Sequence, residues 1–476
     1  MPKESINRRL SNWVAGLTFA DLPSEVVDRA RGVTLQALSS ALLGYDFPET
    51  KQAIRLVEEE DQGAAGTITA LVDGRRFSRA GAAFINAEMI CGGGKWDTFR
   101  MVGHPNCAVI PAALLAAEAT QCSGRAFLTG VVAGYEVMER LAADFVPAIL
   151  ARGFHSGALF SIFGAATAIA KIMGLNADQI HGALAQCVNL AAGNLEGGRS
   201  GGRSVREGAA VRNALLAVGL ARQNIPGGDT VFEGEAGFYF SYLGNREGHL
   251  SHSFSGERSA DLAAITAKLG EKWLFLETLY RIYSTAGYNI AHVDVTAALC
   301  KRDGIRAEQV ERVECVVNWL ETQYPSPAFP SRRTDLEPGP EQPHYYAAYA
   351  VLTGGFPITK NVAQKVGEAD PPGLDAMMQR VRVIPSHTQP LFSPRVTIFT
   401  HDGVAHTLQA TGREFIMTFD ELAQRLAPIG AMAAIGEKQY AELIATCRQI
   451  DDAKDIRRLI ALSIPPDPDR GRQPQT

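Results

Sequence analysis

Gly164-Ala165-Ala166-Thr167-Ala168 lies at the middle of the run Ala158–Met173, and its reading decides the fold. Small side chains inside a stretch of helical apolar period predict a buried helix whose neighbours approach closely. The same Ala-, Leu- and Gly-rich texture recurs in Ala108–Thr120, Arg125–Phe145, Ala177–Asn194 and Val205–Gln223. Together these segments predict a tight, multilayer helical core. Asn176-Ala177-Asp178-Gln179 reads as a helix start, with Asn176 capping and Asp178 in the first turn.

Toward the N-terminus, Pro23-Ser24-Glu25 opens a helix running through Val26, Val27, Ala30, Val33, Leu35 and Leu38 to Gly44. A shorter helix with Leu10, Trp13 and Val14 precedes it, and Glu49–Glu60 is a further helix. Thr67–Val72 alternates weakly and meets Asp73-Gly74, a hairpin signal. The texture changes after Trp273. Gly304–Val317 reads as a charged helix-to-strand passage, Pro325–Pro343 as an exposed loop and His344–Leu352 as a short helix. Val381–Ile384 and Arg395–Phe399 read as strands, the second returning through Asp402-Gly403 into Ala405–Ala410. Thr418 and Glu421 form a capping-box pattern, Lys438–Leu462 is helical, and a Pro-rich polar tail predicted to be disordered ends the chain.

The fold class expected is therefore mainly α. A helical domain takes residues 1–274, a smaller α/β block takes 275–410, and 411–476 returns to the helical part. A length of 476 residues agrees with two or three domains. With 46% hydrophobic and 20% charged residues, the composition is that of a soluble globular protein. The balance of 46 basic against 51 acidic residues argues against a nucleic-acid or anionic-membrane partner. No signal peptide and no run of ~20 apolar residues is read. The seven cysteines (91, 107, 122, 187, 300, 315, 447) are scattered, with no CxxC pair. Reduced thiols in the cytoplasm are the expectation, with neither zinc site nor disulfide framework. Cys91 and Cys107 read as small buried thiols rather than nucleophiles.

Cys91 to Cys107 reads as one long loop between helices. It holds three consecutive glycines and then Lys95, Asp97, Thr98, Arg100 and His104. Such a loop fixed on a rigid scaffold is a place for chemistry; the alternative is a solvated loop whose charges face water. Gly197–Arg203 is glycine-rich but lacks the Lys-Ser/Thr of a nucleotide loop, and no strand clearly precedes it, so phosphate binding is rejected.

Several stretches then line up in order. They are Leu22-Pro23-Ser24-Glu25-Val26-Val27, Asp97-Thr98 with His104-Pro105, Gly134-Tyr135-Glu136-Val137, Gly153-Phe154-His155-Ser156 with Phe163-Gly164-Ala165-Ala166, and Val293-Asp294. On these the chain resembles, nearly end to end, the MmgE/PrpD family, which includes 2-methylcitrate dehydratase, cis-aconitate decarboxylase and iminodisuccinate epimerase. The resemblance implies a large all-helical domain from both chain ends, a smaller α/β lid domain, a site between them and a homodimer. It implies no metal and no organic cofactor.

Carried over one at a time, the family's site positions fall on Asp97, Thr98, His104, His155 and Tyr346. Its lid Lys falls on Arg281, thirteen residues before Asp294, and its helical Lys-x-x-His-x-Gly falls on Arg203-Ser204-Val205-Arg206-Glu207-Gly208. An acid usually four before the Thr is here Gly94. The residues argue for the same chemistry. Imidazole moves protons near neutral pH, and arginines hold carboxylates bidentately. His104, His155, Tyr346 and Thr98 are the expected catalytic residues. Asp97, Arg100, Arg203, Arg206 and Arg281 are the expected substrate-binding residues, with Arg199 beside them. His292 is an additional candidate; the remaining histidines, His344 among them, read as surface or structural.

The reading that follows is a cofactor-free lyase of hydro-lyase type, acting on a small di- or tricarboxylate by removing a proton beside a carboxylate. An epimerase or isomerase of an amino- or hydroxy-dicarboxylate, similar to iminodisuccinate epimerase, is the second reading. A non-catalytic anion-binding relative is the third.

Overall fold

The first helix begins where a short polar side chain closes its first turn. Ser5 accepts from the Arg8 amide at 3.1 Å to start α1 (Ile6–Gly16). α2 (Ser24–Gly44) follows, then α3 (Pro48–Asp61), whose first position is a proline with no N–H to satisfy. An antiparallel hairpin, β1 (Ile68–Thr69) with β2 (Arg76–Phe77), leads to α4 (Arg79–Gly93), capped by Ser78. A short extended segment, β3 (Asp97–Thr98), precedes α5 (Asn106–Thr120). Ser123 caps α6 (Gly124–Ala142), and α7 (Val146–Ala151) and α8 (Ser156–Ile172) follow. Asn176 and Gln179 close a capping box on α9 (Ala177–Leu190), and α10 (Val205–Arg222) and α11 (Phe238–Leu243) come next.

The structure is a computed structural model, and it describes residues 4–63, 65–100, 103–197, 205–323, 328 and 337–466. The chain divides into two compact units, Met1–Thr278 with Thr418–Thr476, and Leu279–Met417. In the larger unit α8 is the centre. It packs against α5, α6, α9 and α10, and every residue of it except Lys171 is buried. This is the structural meaning of the small-residue run: four neighbours surround one helix because its side chains take little room.

The smaller unit begins with β4 (Leu279–Tyr280) and α12 (Asn289–Asp303). β5 (Val310–Asn318) is the longest strand, followed by α13 (Pro343–Thr353), α14 (Leu374–Met378), β6 (Val381–Ser386), β7 (Arg395–Thr400) and β8 (Ala405–Gln409). The sheet order is β6-β5-β7-β8, with β5 parallel to β6 and antiparallel to β7. Val313, Cys315 and Val317 alternate into the core, and α12 and α13 pack on the sheet. The chain then returns to the larger unit through α15 (Phe419–Leu426), with its Thr418–Glu421 capping box, α16 (Gly436–Arg448) and α17 (Arg457–Leu462). α15 and α16 lie on α2, and α17 lies on α5.

Three boundaries differ from the sequence reading. The passage from Gly304 holds only a 3-10 turn, Ala307–Gln309, before β5; the helix lies upstream and stops at Gly304, which is left-handed at φ 66°. Lys438–Leu462 is not one helix, because a 3-10 turn at Ile450–Asp452 breaks it. Arg125–Phe145 likewise ends as α-helix at Ala142 and tightens to a 3-10 turn, Ala143–Phe145. The C-terminal tail from 467 and most of the Pro325–Pro343 loop lie outside the described residues.

Candidate functional site

Cys91 to Cys107 is not one loop. Cys91, Gly92 and Gly93 complete the last turn of α4. A side chain on Gly93 would stand 1.8 Å from the Ser40 carbonyl oxygen, so this glycine lets α4 close on α2. Gly94 ends the helix in the left-handed region at φ 73°. The connection that follows is not a solvated loop either: Lys95, Asp97, Thr98 and His104 are all buried. Their polar groups must therefore be met by protein.

Asp97 shows how. One carboxylate oxygen accepts from the Asn106 amide at 3.0 Å, holding the start of α5. The other accepts from the Tyr135 hydroxyl on α6. Burial, with the Asp97 charge adding to it, pushes the Tyr135 phenol well above its ordinary pKa, so it stays a donor. The Asp97 carbonyl faces His104 Nδ1 at 2.9 Å. A carbonyl can only accept, so Nδ1 carries the hydrogen and the neutral ring's lone pair is on Nε2. The Trp96 ring lies 4.7 Å from the His104 ring, and its indole N–H donates to the Cys91 carbonyl at 2.8 Å. Thr98 Oγ1 is buried and has no hydrogen-bond partner among the described residues.

His155 is the N-cap residue of α8 and is buried. A side chain on Gly157, in the first turn of α8, would meet His155 Nδ1 and Cε1 at 3.2 Å and Glu207 Oε1 at 3.0 Å. Glu207, on α10, is buried, and its second oxygen lies 3.6 Å from Arg206 Nε and 4.0 Å from Cys91 Sγ. Contacts therefore run from His104 through Trp96 and Cys91 to Glu207, and Glu207 and His155 each border the Gly157 α-carbon. Arg100 sits in the left-handed region at φ 52° and pairs with Glu277 at 2.7 Å, so one face of its guanidinium is already engaged. Arg199 and Arg203 lie outside the described residues.

In the smaller unit Arg281 is buried just after β4. Tyr283 donates to Asp294 at 2.9 Å. Tyr346, on α13, is fully buried, with the rings of Tyr345 and Phe356 each 5.1 Å away edge-on. His292 on α12 and His344 on α13 are buried as well, so His344 is no surface residue. Burial holds His292 down to about 3, with His344 adding to it, and burial holds His344 down to about 4. Both are neutral imidazoles at ordinary pH, and neither ring nitrogen of His292 has a hydrogen-bond partner.

Tyr135 and Glu207 fall inside motifs of the sequence but carry no role in its reading. The signal for Glu207 was there: it shares one helical stripe with Val211, Ala214, Val218 and Ala221, all buried, and a charge in an apolar stripe asks for a reason. Cys91 and Cys107 are buried free thiols. A hydrogen bond with Cys107, together with burial, raises the Cys91 thiol well above its ordinary pKa, which is the opposite of an activated nucleophile. Among the described residues, no group of three or more His, Cys, Asp or Glu could hold a metal ion, and no helix is long and apolar enough to cross a membrane.

A mainly helical protein with a smaller α/β unit, and two buried histidines where α4, α5, α8 and α10 meet, is the class that fold and residues define. The family model described as the MmgE/PrpD N-terminal domain matches residues 8–250, and the chain belongs to that family. Among curated proteins it is similar to a cis-aconitate decarboxylase-like protein of Aspergillus oryzae, 26% identical over 297 residues, covering 60% of each chain. It is similar to the cis-aconitate decarboxylase of Aspergillus terreus, 24% identical over 296 residues, covering 60% of this chain and 58% of that one. It is 26% identical to the human cis-aconitate decarboxylase over 250 residues, half of each chain. The match thus spans from about half to 60% of the length of these relatives.

Proposed function

We propose that the protein is a cofactor-free lyase of hydro-lyase type that takes a proton from the carbon beside a carboxylate of a small di- or tricarboxylate. The observation that carries this reading is His104, whose Nδ1 is tied to the Asp97 carbonyl and whose lone pair is thereby set on Nε2. Nε2 takes the carbon-bound proton. The electron pair left behind forms the new C=C bond as hydroxide departs from the neighbouring carbon, and His155 gives that hydroxide a proton, so water is the second product. Thr98 and Tyr346 donate hydrogen bonds to the carboxylate where enolate charge develops. Arg206 and Arg281 hold carboxylates, and Arg203 and Arg100 are assigned to the same task. Asp97 is assigned to substrate binding, and its main-chain carbonyl also positions His104. The active form is a cytoplasmic homodimer in this reading, and its sedimentation mass is twice 51.2 kDa.

A second reading is an epimerase, in which the proton returns to the same carbon. Gly94 in place of the family's acid favours it, as do arginines at the two lysine positions, because a guanidinium keeps its charge but does not exchange its proton. The relatives named cis-aconitate decarboxylase add release of CO2 to the outcomes to be read. The test is incubation in deuterated water with a panel of di- and tricarboxylates. Deuterium at the carbon beside the carboxylate, alkene absorbance and CO2 are followed together. Alkene with water lost supports the lyase; exchange without alkene supports the epimerase. Binding without either leaves the non-catalytic relative, and no binding at all overturns all three.

A further inference from the structure

Arg100 is assigned above to hold a substrate carboxylate, yet the chain already places a carboxylate of its own on it. Arg100 Nη2 lies 2.7 Å from Glu277 Oε2, and the other Glu277 oxygen lies 3.9 Å from Lys272 Nζ. The backbone around Glu277 is pinned from both sides. Glu136 accepts from the Leu274 and Phe275 amides at 3.2 and 3.0 Å. Arg29 donates to the Thr278 carbonyl, and the Thr278 hydroxyl donates to Glu139. Glu136, Glu139 and Arg29 are all buried. The backbone of Arg100 is held as well. The Phe99 N–H donates to the Gly103 carbonyl at 3.0 Å, which closes the turn carrying Arg100, and Arg100 itself is left-handed at φ 52°. A non-glycine residue persists in that region only where its surroundings impose it. Its guanidinium carbon lies 5.2 Å from the centre of the Phe99 ring and 5.7 Å from that of Phe254. An ion pair between two loose surface side chains contributes little. Here both backbones are set in place first, so less freedom is lost on pairing. The side chains of Arg100 and Glu277 stay 33% and 37% exposed, which leaves each room to turn.

We infer that Arg100 and Lys272 form a carboxylate subsite that the chain's own Glu277 fills when substrate is absent, so that Glu277 sets how tightly a substrate carboxylate binds. The two anions compete for the same N–H donors, and side by side on one guanidinium edge they repel. Glu277 is tethered, so it competes at a fixed, high effective concentration. When a substrate carboxylate takes Arg100 Nη2, Glu277 turns to solvent and no covalent bond changes. Arg100 lies two residues after Thr98 and four before His104, which ties the subsite to the connection that carries the proposed base. This inference rests on the carboxylate-processing reading above and adds what restrains its affinity.

The experiment is a double-mutant cycle on the full chain, with calorimetric binding of succinate and of citrate at low salt. The four proteins are wild type, Glu277→Gln, Arg100→Gln and the double variant. Glu277→Gln keeps the shape and removes the charge, and it is expected to bind the acids roughly fivefold tighter than wild type. In the Arg100→Gln background the same change is expected to have no effect, because the cation it frees is gone. Should Glu277→Gln fail to fold, Glu277→Asp carries the test: it keeps the charge, draws the oxygens back from Arg100, and is expected to tighten binding by a smaller factor. Binding by wild type with no gain, or a loss, in the folded Glu277 variant overturns the subsite and leaves the carboxylate reading standing. An equal gain in both backgrounds also overturns it, since that is the signature of a diffuse charge effect. Neither acid bound by wild type or by the Glu277 variant removes the underlying reading and this inference with it.

Discussion

The Asp97–His104 passage of the larger unit and the α12–α13 pair of the smaller unit both bury polar side chains, but by different means. In the first, polar groups other than the Thr98 hydroxyl are met by named partners. Asp97 takes Tyr135 and the Asn106 amide, His104 takes the Asp97 carbonyl, and Lys95 N–H takes Ser40 Oγ at 3.0 Å. In the second, His292 and His344 are buried, and burial keeps them neutral. Hydrogen bonds fix a direction and a tautomer, whereas burial alone fixes only a charge state. Under the proposed mechanism the first region aims a proton acceptor. In the second, burial lowers the pKa of the histidines and raises that of Glu321, so its stability is expected to depend on pH.

The contrast is broken most sharply at His104. His104→Ala should reduce turnover or deuterium exchange by roughly a thousandfold, with the fold intact by circular dichroism. An unchanged rate would take the aimed imidazole out of the mechanism. Next comes Asp97→Ala, which leaves the Tyr135 hydroxyl and the Asn106 amide buried without acceptors. Denaturant titration should show a loss of about 3 kcal/mol, far more than an exposed carboxylate would cost.

Glu321 sharpens the other side. Burial raises its pKa to about 8 against a backbone hydrogen bond from Phe392, and the ordinary value is 4.5. The folded chain holds this proton where the unfolded chain has lost it. The stability from the protonated form is fully present below 4.5 and is lost as pH rises toward 8. His292 and His344 have the opposite sign: their lowered values favour the folded state above 6.5, and that contribution is lost as pH falls. Between pH 6.5 and 8 the Glu321 effect acts without theirs. Over that range Glu321→Gln should remove a fall in stability of up to about 1.4 kcal/mol per pH unit, read from unfolding midpoints. A wild-type curve that is flat there would refute the assignment. The smallest effect is Gly94→Ala, which puts a side chain on a left-handed residue and should cost about 1 kcal/mol.

Much of the helical architecture was legible because its signals are local. The caps at Asn176 and Thr418 lie within three residues of the amides they serve, and the small-residue run of α8 carries its own period. The break at Ile450–Asp452 was not legible, since no proline or glycine marks it. Of the proposed site, His104, His155, Thr98 and Tyr346 could be named from motif order, but their partners could not. Tyr135 meets Asp97 from 38 positions away, and Glu207 meets Cys91 from 116. Nothing in the neighbouring residues encodes such a pairing.

The sequence by itself determined the helix periods, the helix starts, the alternation that makes a sheet of Val310–Asn318 and its neighbours, and the family. These depend on backbone geometry and on residues a few positions apart. Only the tertiary structure decided that the three glycines close α4 on α2 and end it, that Asp97 serves a hydroxyl and an amide, and that Glu207 and His155 meet the same glycine of α8. Those facts come from helices distant in the chain that pack to exclude water, so that each polar group must find its partner across the core.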